Sequence, residues 1–165
     1  MAEIAARAGA KIGSLYRFFP NKEAVADALV QRHIAVLEEE YAALSKCAAT
    51  LSPAALADVL IELLVTLYPR VKSLSALMEA RTDRMEIRDR ARGHAIAGIA
   101  AALRVCAPRL DEALAKDIAA VVLNTMKVLR GMITKDAPTT PGAPDELRRM
   151  HRIYLAERLT PFRNI

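Results

Sequence analysis

Tryptophan is absent from this chain of 165 residues, and only three Phe and four Tyr are present. A core built on large aromatic rings is therefore excluded, and the interior must be filled by aliphatic side chains and alanine. Cysteine occurs twice, at Cys47 and Cys106, far apart and without a CxxC neighbour. That excludes a disulfide framework and a thiolate zinc site, and leaves two reduced thiols, expected to be buried, in a cytoplasmic protein. No apolar run approaches the ~18 residues of a membrane span. No basic segment leads into an apolar core at the N-terminus, so a signal peptide is not expected. Strand-like alternation and internal repeats are missing too. Alanine and leucine dominate what is there, at helical spacing, and the fold class expected is all-α.

The charge is +5 with a pI near 9.5. This balance permits a nucleic-acid partner without requiring one. Three histidines, His33, His94 and His151, fall on separate helical segments with no HxxxH or carboxylate pair beside them. GxSxG, Walker and dinucleotide fingerprints are all absent. Neither enzyme, metal site nor cofactor is expected, and His94 reads as a packed or solvated residue.

Helix punctuation is clear. The stretch Ile4 to Lys22, IAARAGAKIGSLYRFFPNK, reads as two short helices broken at Gly9 and stopped by Pro20-Asn21. Asn21 caps a long helix, Lys22 to Cys47, with Ala24, Ala28, Ile34, Leu37, Tyr41 and Leu44 on its apolar face. Ser52-Pro53 starts another, which Pro69 is expected to end, with a short helix over 73–81 after it. Asp83 with Glu86 predicts the start of a helix to Cys106, in which Gly93 and Gly98 either weaken the helix or admit a neighbour. A helix over 110–133, a Pro/Gly-rich linker over 135–144 and a last helix over 145–159 complete the chain. The acidic run Glu38 to Glu40 reads as a solvated face, and the Arg-rich segment 81–92, interleaved with Asp83, Glu86 and Asp89, as a salt-bridged one.

Helix, glycine turn, helix is the pattern of a DNA-reading helix-turn-helix. On the second helix, Leu15 and Phe19 share a face directed at the core. Lys11, Ile12, Gly13, Ser14, Tyr16 and Arg17 are left for DNA. Lys11 and Arg17 can donate to phosphates or guanine edges, Ser14 and Tyr16 to phosphate oxygens, and Ile12 can touch a thymine methyl. Gly13 leaves room for DNA backbone. Lys22 and the amides opening the long helix can share one phosphate.

The run Ile4-Ala5, Ala8-Gly9, Gly13-Ser14-Leu15-Tyr16-Arg17, Phe19-Pro20-Asn21-Lys22-Glu23 closely resembles the helix-turn-helix of the tetracycline-repressor (TetR) family of bacterial transcriptional regulators. The resemblance covers roughly the first 30 residues. It implies a DNA-binding head with its connecting helix over residues 1–46, and an all-α ligand-binding and dimerisation body over 47–165. It implies a homodimer on a palindromic double-stranded operator, and a small-molecule effector that releases the DNA by shifting the spacing of the heads. The expected action is repression. The alternative is a headless dimeric small-molecule binder with weak or no DNA affinity.

Family heads have a further helix before the helix-turn-helix, and the expectation is that Met1 is a misassigned or alternative start lacking about 25–30 residues. Phe18 stands where many relatives carry a phosphate-donating His or Tyr. Dimerisation is expected through the last two long helices, with Val121, Leu129, Leu147, Met150 and Tyr154 at the seam. Tyr68, Met78, Met85, Asn124, Thr125 and Met126 are the candidate effector-pocket residues, chosen as adaptable or polar side chains on apolar faces.

Overall fold

The computed structural model describes the backbone of residues 1–79, 84–134 and 137–163, and their side chains except at 68–79 and 84. Among the described residues there are seven α-helices, one 3-10 turn and no strand. The helices are α1 (Ala2–Arg7), α2 (Ile12–Phe18), α3 (Lys22–Ala48), α4 (Pro53–Glu79), α5 (Arg84–Cys106), α6 (Glu112–Ile133) and α7 (Ala143–Leu159), with the 3-10 turn at Thr160–Phe162. The all-α expectation holds.

Local chemistry sets the boundaries. Gly9 takes φ +62° after α1. Its N–H reaches the Ala6 carbonyl at 3.2 Å, while Ala10 N–H reaches Ala5 at 2.9 Å. This pair of bonds is a Schellman cap, which needs a left-handed residue at that position. Asn21 Oδ1 accepts from Ala24 N–H at 2.8 Å and caps α3, and Ser52 Oγ accepts from Ala55 N–H at 3.1 Å at the start of α4. Asp111 accepts from Ala113 and Leu114 N–H and opens α6, a cap that spacing alone did not single out. Asp83, the expected cap of α5, lies outside the described residues.

One boundary is corrected. Pro69 does not end α4, which runs unbroken to Glu79, so no separate helix starts near residue 73. A proline inside a helix forfeits one backbone bond at a cost of ~3 kcal/mol. A helix of 27 residues, packed along α7 and α3, absorbs that loss.

The core is aliphatic, as the lack of aromatics demands. Leu44, Leu56, Leu60, Ile99, Leu103, Leu110, Ile118, Val122, Leu155 and Leu159 are buried in one cluster drawn from α3 to α7. A satellite cluster of Val30, Ile34 and Ile87 joins α3 to α5 beyond it. Ala28, expected on the buried face of α3, is exposed, and Val30 and His33 take that face instead. Cys106 is buried as expected, but Cys47 is exposed.

Helices α3 and α5 approach each other closely at Gly98. A Cβ on Gly98 would stand 2.5 Å from Tyr41 Cγ and 2.6 Å from Tyr41 Cβ. Gly98 therefore admits its neighbour, whereas a Cβ on Gly93 meets nothing within 4 Å. Burial pushes the Tyr41 phenol up to about 12.

Candidate nucleic-acid interface

Helices α1 and α2 pack mainly on each other. Ala5 is buried in α1, but α2 has no buried residue. Leu15 and Phe19, expected to point to the core, are only half-buried. The packing that fixes the angle of α2 is therefore thin, and the tight Gly9 turn carries much of the geometry.

Every residue expected to face DNA is exposed: Lys11, Ile12, Gly13, Ser14, Tyr16, Arg17 and Lys22. Lys11 is the N-cap of α2; its ammonium has no acceptor atom with which to cap the helix amides, and its side chain is exposed. Gly13 and Arg17 lie four apart on one face of α2, and Ser14 and Phe18 on the next. Phe18 is 72% exposed, a large apolar ring turned to solvent beside the basic face. A Cβ at Gly13 would meet nothing within 4 Å, so internal packing does not require glycine there. Across the turn, Lys22 opens α3, where unpaired amides and the positive end of the helix dipole favour an anion.

The body departs further from expectation. Tyr68 and Met78 lie outside the residues whose side chains are described. The other four candidate pocket residues do not converge. Met85 is 63% exposed, while Met126 is buried in the core at 3%. The Asn124 Oδ1 accepts from Arg92 Nη1 at 2.9 Å. Thr125 Oγ1 shares a 2.7 Å hydrogen bond with His151 Nε2, and the His151 Nδ1–H donates to the Leu147 carbonyl at 2.8 Å. His151, 2% exposed, is thus a satisfied polar strut between α6 and α7, which histidine count alone did not reveal.

Two described cavities lie elsewhere. One of about 280 Å³ sits between α3 and α5, lined by Asp27, Val30, Gln31, Glu86, Ile87 and Arg90. The other, about 360 Å³, lies between α4 and α7, where Arg152 Nε donates to Asp58 at 2.6 Å.

The expected seam residues divide. Val121 and Met150 are exposed, and Leu147 and Tyr154 are half-buried. Leu129 is fully buried within its own chain, so it cannot meet a partner. Helical spacing marks an apolar face without saying whether it turns inward. Val128 and Ile153, 51% and 60% exposed, occupy the outward face instead.

His94, expected to be packed or solvated, bridges from Nδ1 to Glu38 Oε1 at 2.8 Å, tying α5 to α3. Arg88 and Arg92, expected in a salt-bridged face, pair with no carboxylate among the described residues. Among the described residues there is no group of three His, Cys, Asp or Glu side chains able to hold a metal. Among the described residues no helix is long and apolar enough to cross a membrane.

No curated protein matches the chain. Residues 1–29 match the family profile of the bacterial regulatory proteins of the tetR family. The matched segment contains α1, α2 and the first turns of α3. The segment of residues 1–29 is thus that of the tetR family of DNA-binding bacterial regulatory proteins, and α1 and α2 form its helix-turn-helix.

Proposed function

We propose that the protein is a homodimeric, ligand-responsive repressor that acts in the cytoplasm and is not an enzyme. The observation that carries this reading is the outward face of α2, where Lys11, Ile12, Gly13, Ser14, Tyr16 and Arg17 are all exposed. Lys11 and Lys22 anchor the helix to phosphates on either side, and Arg17 reaches a base edge or a phosphate in the major groove. Gly13 lets the DNA backbone come close.

One helix-turn-helix covers a single half-site. A palindromic operator with half-sites about 34–36 Å apart needs two copies held at fixed spacing. The exposed apolar residues Val121, Val128, Met150 and Ile153 on α6 and α7 suit that pairing. A small molecule that favours a dimer with different head spacing then releases the DNA by population shift.

The alternative, a dimeric small-molecule binder with little DNA affinity, is favoured by one observation, the absence of any buried residue in α2. Selection from random duplexes, followed by anisotropy titration, separates the two. Recovery of a palindrome, with Arg17→Ala weakening it about tenfold or more, supports the repressor. A selection that yields no palindrome, with binding indifferent to Arg17→Ala, sinks it.

A further inference from the structure

Arg88 and Arg92 stand one turn apart on α5, and Asn124, Lys127 and Arg130 follow at three-residue spacing on α6. The two helices pack along each other, and the Arg92–Asn124 hydrogen bond of 2.9 Å fixes their register at this level. Four cations are thereby gathered on one inter-helix surface. Burial holds the Lys127 ammonium below the ordinary lysine range, and Arg92, Arg130 and Arg88 push the same way. Every charged neighbour acting on Lys127 among the described residues is positive. Arg88, Arg92 and Lys127 pair with no carboxylate among those residues.

A protein gains nothing in stability from such an arrangement, because like charges repel and Lys127, though exposed, is partly desolvated by its neighbours. An anion bridging the two helices would relieve both costs. Guanidinium groups offer planar forks to phosphate or carboxylate oxygens, and the lysine supplies a point charge between them.

We propose that Arg88, Arg92, Lys127 and Arg130 form a binding site for a small polyanion, a molecule carrying clustered phosphate or carboxylate groups. It rests on the reading that the body takes a small-molecule effector, and it names that effector's chemical class. An anion drawn between α5 and α6 acts on the two helices that link the α3-facing side of the body to the α7 side. It can therefore couple to the connecting helix.

The test is calorimetric titration of the full chain at fixed ionic strength with pyrophosphate, citrate and, as a monoanion control, acetate. Pyrophosphate or citrate is expected to bind and acetate is not, and whichever probe is tighter separates phosphate from carboxylate chemistry. Arg88→Gln/Lys127→Gln is expected to weaken binding by about tenfold or more. Lys127→Arg should retain it, and Arg158→Gln, an exposed cation elsewhere, should change it less than about twofold.

No binding of either probe, or equal affinity in wild type and the double variant, overturns the site. So does a double variant that loses random-sequence duplex DNA as strongly as it loses pyrophosphate, since the cluster is then a DNA-phosphate surface. Circular dichroism of the variants guards against misfolding, and the single Arg88→Gln change, at an exposed position, serves if the double variant unfolds. Polyanion binding that leaves operator affinity unchanged would confirm the site and refute its role as an effector switch.

Discussion

Gly93→Ala and Gly98→Ala add the same methyl group to the same helix, five residues apart, and should have opposite effects. In a helix interior, Gly→Ala gains about 0.8–1.0 kcal/mol from backbone propensity. At Gly93 nothing lies within 4 Å of the new atom, so that gain is realised whole. At Gly98 the methyl would fall 2.5, 2.6 and 2.8 Å from Tyr41 Cγ, Cβ and Cδ2. Two of these atoms sit near the backbone of α3 and cannot swing aside, so a helix must move. Overpacking costs about 1–3 kcal/mol, and rigid neighbours place this case near the top, for a net loss of ~2 kcal/mol after the propensity gain. Urea unfolding with matched m-values reads both changes. In thermal melts, Gly93→Ala should rise by about 2–4 °C and Gly98→Ala fall by roughly twice that. In a Tyr41→Ala background, Gly98→Ala should become neutral or stabilising, because the clash has gone. Shifts of the same sign at the two glycines would refute the close approach of α3 and α5.

Thr125→Val leaves His151 Nε2 without its 2.7 Å partner and should cost about 1–3 kcal/mol in denaturant unfolding. Thr125→Ser should restore most of it, and an unchanged midpoint in Thr125→Val would show that the pair contributes nothing. The Tyr41 phenol is raised from 10 to about 12 by burial, so the fold binds its proton more tightly than the unfolded chain does. Its contribution is complete below pH 10 and is lost as the pH rises toward 12, a fall of ~2–3 kcal/mol. Tyr41→Phe should flatten that alkaline slope, and parallel pH profiles would contradict it. Val128→Asp, on the outward face, should shift a dimer toward monomer in sedimentation with little change in monomer stability. Leu129→Ala, next to it in sequence but buried, should lower stability by about 2–5 kcal/mol. A dimer unmoved by Val128→Asp would rule out this seam.

Local chemistry was the most legible layer of the chain. Gly9, Asn21 and Ser52 announce their turns and caps because each acts on backbone only a few residues away. The exposed face of α2 was equally readable, since a short amphipathic helix leaves few choices. What depends on a distant partner was not. Gly98 and Gly93 are indistinguishable in sequence, and only the position of Tyr41 separates them. Leu129 carries the same periodic signal whether it meets its own core or a second copy. Arg88 and Arg92 read as salt-bridged because Glu86 and Asp89 are neighbours in sequence, yet Arg92 finds Asn124, 32 positions away. Pro69 misled for the opposite reason, since its local cost is real but smaller than what a long packed helix can bear.

The Tyr41–Gly98 contact has a mechanical consequence. From Tyr41 back to Lys22, α3 is an uninterrupted rod of 19 steps, or ~28 Å at the standard helical rise. Tyr41 is seated against the bare backbone of α5, and Val30 and Ile34 pack on Ile87 nearer the head, so a tilt of α3 against α5 would have to shift these contacts together, with the head at the far end. A tilt of about 5° there carries Lys22 through roughly 2.5 Å, close to the whole length of a hydrogen bond.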